Sequence, residues 1–335
     1  MRPDAGRRRV CRAVGALSVA GLAGLGWAAH GQGTAQNTTQ NIGQNTGPGV
    51  GAAARVAGTG APSAPRLRIV SVGAAITETL YALGAQSDLV GVDTSSQWPV
   101  EATRLPQVGY QRTLSPEGLL ALRPTLVLAT ETAGPPAVLQ QLREAGITLQ
   151  VIDADHRIEG VRARTQRVAE ACGRAEAGRA LSGRIAADWQ RALARAGQLR
   201  RAQAGAEPPP LRVLFVMTQG GTGLRAAGRD TAPDALLAYA GARNVMAAVE
   251  GYQAVSAEAM VAAAPQVIVS TTHTLQAAGG PSGLLAQAGL ALTPAGRAGR
   301  VVALDTLLAL GFGPRLPLAL QTLAEGLYGG AGGRA

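Results

Sequence analysis

Val108-Gly-Tyr-Gln-Arg-Thr-Leu-Ser-Pro-Glu-Gly-Leu-Leu-Ala-Leu-Arg-Pro124, followed by the apolar run Thr125 to Thr130, has a second, similar copy in this chain. The second copy, Glu250 to Thr271, reads Glu-Gly-Tyr-Gln-Ala-Val-Ser-Ala-Glu-Ala-Met-Val-Ala-Ala-Ala-Pro and then Gln-Val-Ile-Val-Ser-Thr. Overlaid, Gly109 matches Gly251, Tyr110 matches Tyr252, Gln111 matches Gln253, Ser115 matches Ser256, Glu117 matches Glu258 and Pro124 matches Pro265. One residue is missing from the second copy, between Gln253 and Val255. Each copy reads as a Gly-Tyr turn, a capping serine, a short helix with a carboxylate in its first turn, a proline stop and a buried strand. The repeat predicts two similar lobes, each presenting a tyrosine and a glutamate.

Around this repeat, Leu67 to Val72 predicts a strand, Ile76 to Leu83 a helix, Leu89 to Val92 a strand, and Thr148 to Ile152 a further strand after a helix ended by Gly146. The alternation implies an α/β lobe with a parallel sheet covered on both faces. From about Glu159 the pattern turns helical, and Glu176 to Gln203 would extend about 40 Å at 1.5 Å per residue. Leu211 to Met217 then begins a second lobe as Leu67 began the first. The expected fold is therefore two Rossmann-like α/β lobes with parallel sheets joined by a single long α-helix, with a ligand cleft at the carboxyl ends of the strands. The expected divisions are an N-terminal lobe at 66–156, a linking helix at 157–207 and a C-terminal lobe at 208–330.

The 31 basic residues are all arginine and stand against 21 acidic ones. Five of those arginines, Arg2 to Arg12, lie in a basic head that precedes the apolar run Ala13 to Ala29. That pattern predicts a signal peptide over 1–31, and the Gln/Asn/Thr and Gly/Ala/Pro repeats of 32–65 predict a disordered tether. The remainder lacks a dense basic run with interleaved aromatics, so no nucleic acid is expected. Cys11 precedes the apolar run, which leaves Cys172 alone after cleavage and no disulfide framework.

With the two lobes, the strut and the doubled Ser-x-Glu motif in place, the chain resembles the substrate-binding proteins of bacterial metal-chelate importers. Arg68-Ile-Val-Ser-Val-Gly, Thr77-Glu-Thr-Leu-Tyr-Ala-Leu-Gly, the Gly-Tyr-x-Arg-x-Leu-Ser-x-Glu-Gly run at 109–118 and Ala227-Gly-Arg-Asp-Thr-Ala look most like the periplasmic haemin-binding branch. The resemblance covers roughly 66 to 328. It implies ferric haem b as the transported ligand and Tyr110 as the axial iron ligand. It also implies that Glu117 and Glu258 dock onto arginines of an ABC permease homodimer with its ATPase, downstream of an outer-membrane haem receptor.

The chemistry of the residues agrees. Ferric iron is a hard cation suited to a phenolate oxygen, and haem has a tyrosinate precedent in catalase. A free phenol ionises near about pH 10, so the iron and nearby positive charge must favour the anion. Arg112 is the first candidate for that charge, or for pairing with a haem propionate. Tyr252 is either a packed aromatic, the cover of the other haem face or the ligand of a second haem. His273, after a C-terminal-lobe strand, could reach a propionate or the iron. Arg229 could bind a propionate or pair with Asp230 or Asp234. Trp98 and Phe312 could pack on the porphyrin or in the core, and His156 is expected in an exposed loop.

An enzyme is disfavoured: no strand leads into Gly-x-Gly-x-x-Gly, Gly220 to Gly223 lacks the lysine of a P-loop, and no Gly-x-Ser-x-Gly elbow or His-Glu-x-x-His pair occurs. The closer rival is a binding protein for a siderophore or cobalamin, for which Arg112, Arg225 and Arg229 could be recruited.

Overall fold

The computed structural model describes residues 67–330 except 154, 205–208, 219–222 and 288, and these all lie in one compact unit, 61–335. The expected signal peptide and tether, Pro208 and most of the Gly220 to Gly223 run lie outside the described residues.

The first lobe is built from β1 (Ile69–Val72), α1 (Ala74–Ala82), β2 (Leu89–Val92), the short strands β3 (Gly109–Tyr110) and β4 (Thr113–Leu114), α2 (Pro116–Ala121), β5 (Leu126–Thr130), α3 (Pro136–Glu144) and β6 (Thr148–Ile152). Its main sheet runs β2-β1-β5-β6 and is parallel throughout. The strands are near-continuous apolar runs because both faces are covered. Ile69, Leu126, Leu128 and Ile152 face one core, while Val70, Val72, Val127 and Ala129 face another.

The linking region is two helices, α4 (Ile158–Ala171) and α5 (Ala175–Ala204), which corrects the expectation of a single one. The break falls at Gly173, whose φ of 70° lies in the left-handed region that glycine tolerates and a helix interior does not. Gly178 and Gly183 stay inside α5.

The second lobe contains β7 (Arg212–Thr218), β8 (Leu224–Ala227), α6 (Ala232–Tyr239), β9 (Arg243–Asn244), β10 (Tyr252–Ala254), α7 (Ala257–Ala263), β11 (Val267–Thr271), α8 (Thr272–Ala277), α9 (Pro281–Leu285), α10 (Pro294–Arg297), β12 (Val301–Leu304), α11 (Thr306–Leu310) and α12 (Leu316–Tyr328). Its sheet runs β10-β8-β7-β11-β12, with β9 beside the start of β7. This sheet is mixed rather than parallel, because β8 runs antiparallel to both β7 and β10. β8, the next strand in the chain, pairs antiparallel with β7, Thr218 opposite Leu224, a pairing that needs no helical crossover.

One core joins the lobes. Ile69 and Leu128 of the first sheet, Val213 and Phe215 of the second, Val168 of α4, Trp189 of α5 and Leu320 of α12 belong to a single buried cluster. Trp189 is 3% exposed and meets Tyr239 edge-on at 4.7 Å between centroids. The strut is thus a shared wall of both lobes.

Candidate functional site

In the first lobe, a buried polar knot at the carboxyl end of the sheet sets the loop that leads to the tyrosine. The Asp93 carboxylate is fully buried and accepts hydrogen bonds from the Gly73 amide (2.8 Å), the Ser95 amide (2.9 Å) and the Ser96 hydroxyl (2.8 Å). Hydroxyls of Ser71, Thr77 and Ser96 continue the chain at 2.7 Å each. A buried carboxylate needs such donors to remain there. The loop so fixed donates from Thr94 N to the Gly109 carbonyl at 2.9 Å and seats β3.

Gly109 has φ 95°, and a Cβ there would stand 3.0 Å from the Thr113 carbonyl oxygen, so the hairpin closes only on glycine. Tyr110 pairs with Thr113 across the hairpin, leaving Gln111 and Arg112 as its two-residue tip. Gly134 ties the tip down from behind: its amide donates to the Gln111 carbonyl and its carbonyl accepts from Leu114 N, both at 2.9 Å. Tyr110 is 41% exposed, and Arg112 is exposed beside it. Ser115 then caps α2, accepting from Gly118 N at 3.1 Å while its hydroxyl donates to the exposed Glu117 carboxylate at 3.2 Å.

The matching tyrosine has a different fate. With one residue fewer the second copy has no room for a two-residue tip, and Tyr252 instead runs on as β10, paired with Ala227 at the edge of the main sheet. Arg225 lies opposite Ala254, and its guanidinium donates to the Tyr252 carbonyl at 2.6 Å while its buried Nε has no described partner. Burial pushes the Tyr252 phenol up to about 12, and Arg112 of the other lobe opposes that shift. Arg112 at the hairpin tip of the first lobe thus lies near enough to the edge strand of the second for its charge to act on Tyr252. On α7, the Ser256 hydroxyl accepts from Ala259 N at 3.2 Å. The backbone amide of Glu258, and after it the Ser256 hydroxyl, hold its exposed carboxyl below the usual glutamate range.

The remaining candidates divide. His273 is exposed in the first turn of α8, directly after β11. Arg229 is engaged within its own lobe, donating to the Ala248 carbonyl at 3.1 Å and to Glu250 at 2.9 Å, with Asp230 at 3.6 Å. Asp234 is not its partner; it accepts from Asn244 at 2.8 Å. Phe312 is 2% exposed and belongs to the shared core, whereas Trp98 is 46% exposed.

Between the lobes lies a second constellation, which sequence reasoning missed. Glu78 of α1 accepts from the Arg315 amide at 3.0 Å and from its Nε at 2.9 Å, so one carboxylate holds both the backbone and the side chain that begin α12. The same guanidinium lies 4.5 Å over the Trp98 ring. The buried Arg164 of α4 donates to the Phe312 carbonyl, and His156 meets the Phe312 ring edge-on at 5.2 Å. His156 is accordingly half-buried rather than in an exposed loop, and burial pushes its imidazole below the usual histidine range, with Asp155 opposing. The Asp-Thr-Ser-Ser run 93–96 was a readable sign of the polar knot, whereas nothing local marks Glu78 or Arg315 as partners.

Among the described residues no three His, Cys, Asp or Glu side chains gather as a metal cage. The recesses beside α5, one holding Arg162 and Arg179 and the other Arg191 and Arg195, contain none of the candidate residues.

The model of a family described as periplasmic binding protein matches residues 69–307. Among solved structures the chain is similar to the periplasmic heme-binding protein BhuT in complex with two hemes, with 47% identity, 78% of this chain and 98% of that chain covered, and a TM-score of 0.73. The periplasmic heme-binding protein RhuT from Roseiflexus sp. RS-1 is similar at 39% identity over 78% of this chain and 98% of that one, with a TM-score of 0.73. The vitamin B12-binding protein of Vibrio cholerae is 28% identical over 215 residues, 63% of this chain and 72% of its own length.

Proposed function

This chain belongs to the periplasmic binding protein family, and on that premise we propose that it binds haem between its lobes and delivers it to an inner-membrane ABC permease and its ATPase. It is a binding protein, not an enzyme. The observation that carries the reading is the exposed Tyr110 on a hairpin pinned at both ends, with Arg112 at the tip and Tyr252 of the other lobe within that arginine's field.

A single phenolate is a poor cage for a bare ion but a sufficient axial ligand for iron already held by a porphyrin. Tyr110 is the ligand of choice because it is exposed, whereas burial makes the Tyr252 phenolate costlier to form. Tyr252 then covers the opposite face or serves a second haem, a stoichiometry that the similar BhuT complex has. Arg112 supplies the positive charge, to the phenolate or to a propionate. His273, exposed in the first turn of α8, is available to a propionate. Arg229 would first have to leave Glu250, which makes it the weakest of the set.

The cargo in this reading is ferric haem b, arriving by way of an outer-membrane haem receptor and leaving to a permease homodimer through Glu117 and Glu258. Residues 1–31 export the chain and are removed, and 32–65 tether a periplasmic binding unit composed of 66–156, 157–207 and 208–330. Cobalamin is the second reading, favoured by the similarity to a vitamin B12-binding protein.

The test is a haemin titration of the exported chain followed by visible absorption, beside Tyr110→Ala and a cobalamin titration. A saturable spectrum with a phenolate-to-iron charge-transfer band is expected. In Tyr110→Ala the band is lost and affinity falls at least about tenfold, the lower bound for losing even an outer-shell partner of a metal. Equal, weak spectra for both proteins together with saturable cobalamin binding would replace haem by the corrinoid.

A further inference from the structure

We propose that docking to the permease rests on a matched pair of apolar anchors, Leu120 and Val261, each set one helical turn beyond the carboxylate of its lobe. This inference rests on the reading of the chain as the soluble partner of an importer, and it adds the contact that gives the docking surface its grip.

The two copies of the motif agree in exposure as well as in sequence. On α2, Glu117, Leu120 and Ala121 are exposed while Leu119 is fully buried. On α7, Glu258, Val261 and Ala262 are exposed while Met260 is 1% exposed. Residues at i, i+3 and i+4 share one face of a helix, so each lobe presents a carboxylate followed by an apolar step. Leu120 is 40% and Val261 36% exposed, and only seven large hydrophobic side chains among the described residues reach that level.

Their positions are alike too. Ser115 N donates to the Val108 carbonyl, which places the start of α2 beside the carboxyl end of the first sheet. β10 runs in the same direction as β7, since both are antiparallel to β8, and α7 leaves its carboxyl end. Both helices therefore start at the carboxyl end of their sheet. Neither Glu117 nor Glu258 pairs with a described arginine, although the chain has 31 basic residues, all arginine.

Helix packing explains Leu119 and Met260 but leaves Leu120 and Val261 facing water. Single exposed apolar residues are ordinary; an exposed apolar residue at the same step from a carboxylate with no described arginine partner in both lobes is not. The partner that fits is a two-fold protein whose protomers each present an arginine one turn away from an apolar socket, because two similar surfaces on one chain are complementary to a symmetric dimer. The ion pair orients the encounter, and the apolar anchor, excluding water around it, holds the complex.

The experiment measures binding of the haem-loaded chain to the importer's permease–ATPase complex in lipid nanodiscs. Leu120→Ala and Val261→Ala are each expected to weaken binding about five- to thirtyfold, the range of an anchor residue, with melting temperature and haem spectrum unchanged. Leu120→Met keeps the apolar bulk and is expected to retain affinity. If both alanine variants bind like wild type while Glu117→Gln and Glu258→Gln bind weakly, the anchor inference is overturned and the docking reading stands. If the glutamine variants are neutral as well, both fall. Wild-type chain that does not bind the complex removes the importer reading and this inference together.

Discussion

Two tyrosines that match in sequence differ in what surrounds them, and that difference decides what each can do. Tyr110 stands 41% exposed on a hairpin tip, while burial pushes the Tyr252 phenol up to about 12. A phenol whose folded value lies above its unfolded value of about 10 contributes stability that is complete below pH 10 and lost as pH rises through about 12. The contribution is on the order of 2–3 kcal/mol at most. Tyr252→Phe should therefore flatten the fall in stability between pH 10 and 12, measured by urea unfolding across that window, and should remove the highest-titrating component from the ultraviolet tyrosinate curve. A variant whose stability falls as steeply as the wild type would show that Tyr252 is solvated in the native state. Arg112 opposes the shift, so Arg112→Ala should move the Tyr252 transition higher still.

Elements, rather than residues, explain why the copies diverged. In the first copy Tyr110 and Thr113 close a hairpin around Gln111 and Arg112, and Gly134 holds its tip from behind. The second copy is one residue shorter, its Tyr252 pairs with Ala227, and the segment completes the sheet edge beside β8. One deletion thus turns a presented tyrosine into a packed one. The strut shows the same coupling of length to role. In α5, Leu181, Ile185, Trp189, Ala192 and Ala196 are buried at helical spacing and form a stripe against the inner faces of both lobes. Trp189→Ala is expected to destabilise the protein by about 3–5 kcal/mol, read as a lower denaturation midpoint with haem affinity largely kept at low temperature. Loss of haem binding without loss of stability would contradict the assignment of Trp189 to the frame.

For the molecule as a whole, the lobes are joined by more than the strut. Glu78 and Arg315, with side chains 11% and 22% exposed, clasp across 237 positions of chain, and Trp98 lies beneath the guanidinium. Removing one partner strands the other charge in a mostly dry place, so Glu78→Ala should cost about 3 kcal/mol and Arg315→Ala a similar amount. The double variant should recover part of the loss, which a double-mutant cycle of melting curves measures; strictly additive losses would mean that the pair is not coupled. A shared core and this clasp both oppose wide opening of the lobes. Much of this was legible in the chain. The order of strands and helices, the long α5, the two lobes and the doubled motif follow from periodicity, caps and repeats, which are local properties that each segment carries wherever it is placed. The mixed character of the second sheet, the split between α4 and α5, the half-burial of His156, the Asp93 knot and the Glu78–Arg315 clasp did not follow from it. Those depend on which strand edge is left open and which side chains arrive at the same buried point from distant positions, and only the folded chain, where every buried polar group must find its partner, decides them.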